Sequence, residues 1–249
     1  MRWLPLAALI ALQIGYPLTA GQTRAGLVVV TVVAGFLFAV GHAWVTRGVR
    51  VAGVLVLVAG GGGLLVEALG VHSGFPFGGY HYAGTLGARL LGVPVVIPLA
   101  WAWMAWPAWL AAARLTGSRP LRVLLAGWGL AAWDLFLDPQ MVAEGYWRWE
   151  HPSPGLAGIP LSNYAGWLGV AVLMTVLFAV LAPGPGPAPG PDTPMYALYL
   201  WTYYSSVLAH AVFLGLPTSA VAGALGMGVV ALPLTVAVLR TADPAGVPS

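Results

Sequence analysis

The chain has 249 residues, of which 59% are hydrophobic and only 7% charged, whereas a soluble domain carries about a quarter charged residues. That inventory cannot build a water-facing surface. With no cysteine, disulfides, thiolate catalysis and sulfur-bound metals are excluded, and a net charge of +3 made of scattered arginines leaves no basic stripe for nucleic acid.

A bilayer core about 30 Å thick takes roughly 20 apolar residues per helix. On that measure the chain reads as an all-α polytopic membrane bundle of seven or eight spans, one transmembrane domain over 1–249. The candidate spans are 3–20, 26–45, 51–69, 94–113, 121–138, 161–182, 195–215 and 219–239. The first, following Arg2, has the layout of a secretory signal as an alternative. Gly60 to Gly63 interrupt the third span with residues that let a neighbour approach closely. The stretch 183–194, opening Pro-Gly-Pro-Gly-Pro-Ala-Pro-Gly-Pro, reads as a flexible loop between spans six and seven.

Alternating spans put Arg2, Arg47, Arg50, Arg114, Arg119, Arg122 and Arg240 on one side and Arg24, Arg89 and Arg148 on the other. The excess of arginine predicts cytoplasmic termini. Glu67, Asp134, Asp138, Glu144 and Glu150 then gather toward the far face with His72, His81, His151 and His210, and only His42 lies opposite.

Three stretches can carry chemistry. The first runs from Glu67 through His72, Phe77, Tyr80, His81 and Tyr82, with glycines and Pro76 shaping a turn after the third span. Its aromatics also suit an interfacial belt; a glutamate inside the apolar run favours a site. The second is Trp133-Asp134-Leu-Phe-Leu-Asp138-Pro139, where the two aspartates sit one helical turn apart and Pro139 is expected to end the helix. Ionisable groups within a span are costly and mark function. Two carboxyls this close titrate as a coupled pair, a candidate proton donor. The third joins Glu144, Tyr146, Trp147, Trp149 and Glu150 to Asn163 and Tyr164 at the start of span six. Its aromatic faces suit a flat conjugated ligand or a cation, and Asn163 suits either a water or a helix cap. No tight histidine pair or lysine-backed aspartate cluster favours a metal site or a magnesium diphosphate cradle.

These stretches, together with Gly92-Val93-Pro94, Ile97-Pro98, Trp101 and Gly158-Ile-Pro160-Leu-Ser-Asn163-Tyr164…Gly166-Trp167, resemble the CruF-type carotenoid hydratases of bacteria and archaea over most of residues 60–170. The resemblance implies addition of water to the terminal double bond of an acyclic carotene end such as that of lycopene or γ-carotene, with no cofactor. It implies a polyene, water and membrane lipid as partners, and association with other carotenoid-pathway enzymes. The chemistry, rather than the resemblance, suggests residue roles. An acid must protonate the less substituted alkene carbon, aromatic faces must steady the tertiary cation, and water must capture it. Asp134 is the expected acid, with Asp138 or Glu67 as the compensating carboxylate. The expected binding residues are Trp133, Trp101, Tyr80, Tyr82, His72, His81, Phe77, Trp147, Trp149, Asn163, Tyr164 and His210. A lycopene-cyclase-like enzyme and a non-enzymatic carotenoid carrier or transporter are the alternatives; no inverted repeat, which would favour a transporter, is visible.

Overall fold

A computed structural model describes residues 3–182 and 192–242; most of the Gly/Pro-rich stretch lies outside them. The chain forms helices α1 (Leu4–Gly15), α2 (Gly21–Arg47), α3 (Val49–Ser73), α4 (Val96–Leu115), α5 (Arg119–Ala143), α6 (Leu161–Leu181), α7 (Thr193–Leu208) and α8 (Pro217–Ala242). Six of these, α2 to α6 and α8, are long and apolar enough to cross a membrane, fewer than the seven or eight expected. The two shortfalls have local causes. The first predicted span ends at Gly15, just before Tyr16-Pro17, so α1 covers only about 18 Å at 1.5 Å per residue. The seventh is divided, a 16-residue helix passing into a π-helical turn at Ala209–Phe213.

The bundle is arranged around α4, the most deeply buried of the spans, which touches α2, α3, α5 and α7. The helix ends are tied across the bundle at both faces. Arg24, in the first turn of α2, pairs with Glu144 just beyond α5, while Arg47 at the other end of α2 donates to Asp192 at 2.6 Å. Among the described residues, the ends of neighbouring helices therefore alternate as the sequence order requires.

Glycine positions follow close approaches. A π-helical turn, Val56–Gly61, interrupts α3, and two residues on, Gly63 faces the Trp101 side chain so closely that a Cβ would lie 2.9 Å from it. The glycine run thus accommodates an indole ring as well as neighbouring backbone.

Between helices lie short strands. β1 (Tyr80–Tyr82) pairs antiparallel with β4 (Trp147–Trp149), setting Tyr80 opposite Trp149, His81 opposite Arg148 and Tyr82 opposite Trp147. Side chains alternate across a strand, so the four aromatics turn inward and His81 and Arg148 turn out. Two further hairpins share one design. β2 (Arg89–Leu90) and β3 (Val93–Pro94) lead into α4; β5 (Gly155–Leu156) and β6 (Ile159–Pro160) lead into α6. Each turns through two residues of positive φ, Leu91-Gly92 (52° and 83°) and Ala157-Gly158 (54° and 82°), the geometry of a type I′ turn. Seven residues after the prolines of β3 and β6 stand Trp101 and Trp167, whose rings stack at 3.8 Å and 15°.

Candidate active site

Two carboxylate clusters meet between these hairpins. Glu67, buried near the end of α3, accepts a hydrogen bond from Tyr80 Oη at 2.5 Å and from Tyr82 Oη at 2.7 Å, both on Oε2, and from Trp101 Nε1 at 3.0 Å on Oε1. Three donors converge on it, an arrangement that offsets part of the cost of burying its charge. β1 supplies the two phenols because its alternate residues face inward. Burial, and next the Glu67 carboxylate, push both hydroxyls well above the usual tyrosine range, so they act as neutral donors.

The second cluster is held by one amide. Asn163, in the first turn of α6, donates from Nδ2 to Asp134 Oδ2 at 2.8 Å and to Asp138 Oδ2 at 2.5 Å, and Trp147 Nε1 donates to Asp138 Oδ1 at 3.1 Å. Asn163, Asp134 and Asp138 are each at most 3% exposed. Asp134 Oδ1 has no hydrogen-bond partner. Asn163 thus joins the two carboxyl groups through one nitrogen. The helix does not end at Asp138 as Pro139 led us to expect. It breaks earlier, around Ala132-Trp133, restarts at Asp134 and runs through the proline to Ala143.

A cavity of about 400 Å³ lies between the clusters. Glu67, Asp138 and Asn163 reach its wall, and Trp101, Trp133, Tyr80, Tyr82, Phe77, Trp147 and Trp149 line it. The stacked Trp101 and Trp167 form one side, and Trp133 meets Trp167 edge-on at 6.4 Å. Asp134 stands behind Asn163 and Asp138, outside the lining.

Other expected residues are not brought to the cavity. His72 is exposed and bonded to its own helix at Ala68 O, 2.7 Å away; His81 is exposed and meets Glu150 at 2.5 Å; Tyr164 Oη donates to Leu156 O at 3.2 Å. His210 is fully buried but stands behind Gln140. Trp167 and Trp103 line the cavity without having been singled out as site residues; the Pro-x₆-Trp spacing common to both hairpins was the signal available for Trp167.

The close approach at Gly63 makes one prediction. Gly63→Ala forces the Trp101 indole away from α3 and off Glu67, and overpacking of this kind costs about 1–3 kcal/mol. Thermal unfolding of the purified protein should register that loss.

Buried acids beside an aromatic-walled cavity in a helical membrane bundle define a membrane protein suited to acid chemistry on an apolar ligand. The chain belongs to a family described as carotenoid biosynthesis protein, whose model matches residues 26–233. Among curated proteins it is similar to the bisanhydrobacterioruberin hydratase of Haloarcula japonica, 38% identical over 117 residues. That alignment covers 44% of this chain and 39% of the relative, so less than half of either protein is matched. No solved structure matches the chain.

Proposed function

We propose that this chain is a carotenoid hydratase that adds water across the terminal double bond of an acyclic carotene end. The observation that carries the reading is the cavity itself, apolar and aromatic along most of its wall yet closed by a buried carboxyl pair on one side and a lone carboxylate on the other. A cation made there has aromatic faces around it, each able to stabilise it by about 2 kcal/mol when desolvated. The relative's name, a hydratase acting on a carotenoid, supports the same chemistry.

In this mechanism Asp138 is the acid. It lines the cavity, whereas Asp134, the sequence-based choice, lies behind it and serves to keep a proton on the pair. Asp138 protonates the less substituted alkene carbon, leaving a tertiary cation on its neighbour; water adds to that cationic carbon and its proton returns to the Asp138 carboxylate. Glu67, fixed by three donors, supplies a negative charge that favours the cation throughout. No cofactor takes part.

The substrate end reaches the acids sideways. The cavity wall also includes Ile14, Leu18, Leu208 and Phe213, each about half exposed or more on the outer surface of the bundle. A polyene held among lipid chains can slide its end between α1 and α7 without crossing water. The arginine distribution supports cytoplasmic termini, with the site toward the opposite face.

Expression in cells that accumulate lycopene or γ-carotene should yield products heavier by one water, with the oxygen drawn from oxygen-18 water. Pigment left unchanged in cells that contain the protein would overturn the hydratase reading, and a product of altered structure but unchanged mass would identify ring closure instead.

A further inference from the structure

Pro139 has no backbone N–H, so the carbonyl of Leu135, one turn earlier, lacks its helical partner. Ser219 of α8 takes that place, its hydroxyl donating to Leu135 O at 2.6 Å. With its proton committed there, Ser219 Oγ accepts N–H from His210 Nδ1 at 2.9 Å. The buried imidazole is thereby fixed as one tautomer, and its Nε2, left as an acceptor 3.1 Å from Gln140 Oε1, requires the amide to be turned end for end, its N–H₂ to the ring and its oxygen away from it. A proline next to the acid thus leads through Ser219 and His210 to a carboxamide clamped at one end.

Gln140 lines the same cavity as Asp138. Near it, just beyond α1, stands Tyr16, also in the cavity wall. Its ring is held under the Arg24 guanidinium, 5.2 Å from the ring centroid, and Arg24 is itself paired with Glu144. Tyr16 is 9% exposed, and its hydroxyl is buried within reach of the Gln140 carboxamide. A phenol beside a clamped carboxamide offers a donor and an acceptor to one small oxygen between them, a short way along the helix from the acid. Neither group has a part in delivering the proton.

We propose that Gln140 and Tyr16 hold the water that captures the cation, with His210 and Ser219 as positioning residues; the assignment rests on the hydratase reading above. The alkene π pair takes the Asp138 proton and forms a C–H bond. The lone pair of the held water then closes the C–O bond, and the proton released from that oxygen restores Asp138. Orientation of the water decides whether the cation is captured or returns its proton.

The test separates those two fates. Full-length protein in membranes is given carotene in deuterated water, and two quantities are followed: alcohol formed, and deuterium entering the recovered carotene through protonation and its reversal. In Tyr16→Phe and Gln140→Leu alcohol formation should fall tenfold or more while deuterium in recovered carotene holds or rises. His210→Ala should shift the same ratio in the same direction, which a merely structural role would not do. Tyr16→Phe removes one oxygen only, so it gives the answer whether or not Gln140→Leu accumulates. Hydration at the wild-type rate in Tyr16→Phe and Gln140→Leu overturns this assignment and leaves the hydratase reading standing. If alcohol and deuterium fall together with a raised KM, the two side chains seat the carotene end rather than the water, and the water assignment is overturned. A wild-type chain that forms no alcohol overturns both.

Discussion

Asp138→Asn should lower hydration by about a hundred- to ten-thousandfold, the range for loss of a positioned general acid. The substitution keeps size and shape, and the Trp147 indole can still donate to the new amide oxygen in place of Asp138 Oδ1. What is lost is the one carboxyl of the pair that lines the cavity. Asp134→Asn should behave differently. It leaves Asp138 in the wall and the Asn163 bond to Asp138 in place, but removes the partner that keeps a proton on the pair, so turnover should fall about tenfold, roughly 1.4 kcal/mol. Asp138→Asn sets its new N–H₂ against the Asn163 donor and should lose about 1–3 kcal/mol of stability, while Asp134→Asn should unfold close to wild type; both should be assayed for oxygen-18 alcohol and for deuterium in recovered carotene. Under the proposed order Asp138→Asn loses both signals together, because no cation forms. If Asp134→Asn were the more damaged of the two, the acid role would pass back to Asp134.

The choice between those aspartates marks where sequence reading stopped. A spacing of four residues on a helix places Asp134 and Asp138 on one face, and that placement holds. Which of them meets the cavity depends on the break around Ala132-Trp133 and on Asn163, a residue of another helix. Neither is written in the local pattern. The membrane class and most of the span positions followed from composition and run length, because a bilayer imposes those directly. The count did not, since a proline after Tyr16 and a π-helical turn at Ala209 shorten two runs that remain apolar throughout.

The loops show the same division. Tyr80-His81-Tyr82 and Trp147-Arg148-Trp149 each alternate an aromatic with a polar residue, a period-two pattern that predicts strands with one buried face. Reading the first as a turn concealed the pairing and therefore which side chains point inward. His81 was expected in the site and lies outside for that reason. The matched hairpins at Leu91-Gly92 and Ala157-Gly158 were equally legible. Glu67 precedes Tyr80 by thirteen residues, and Asp134 precedes Trp147 by the same number. The two carboxylate clusters are thus laid out as successive, similarly directed halves, α3 to α4 and α5 to α6, which meet at the Trp101–Trp167 stack.

That layout gives the two halves opposite electrical parts, and Glu67→Gln tests them. A carboxylate accepts from Tyr80, Tyr82 and Trp101 together; an amide turns N–H groups toward at least one of those donors. Leaving a buried donor unsatisfied costs about 1–3 kcal/mol, which a thermal melt should detect. The effect on rate should be larger, about a hundredfold, because the fixed negative charge facing the cation is also removed. Tyr82→Phe withdraws one donor and should cost much less alone. Combined with Glu67→Gln it should add little further loss, since residues of one hydrogen-bond network are not independent. In deuterated water the Glu67→Gln enzyme should place less deuterium in recovered carotene, as its cation forms less readily. That outcome separates Glu67 from Gln140 and Tyr16, whose variants form the cation and fail to capture it. Unchanged deuterium with reduced alcohol in Glu67→Gln would move Glu67 from stabilising the cation to handling the water.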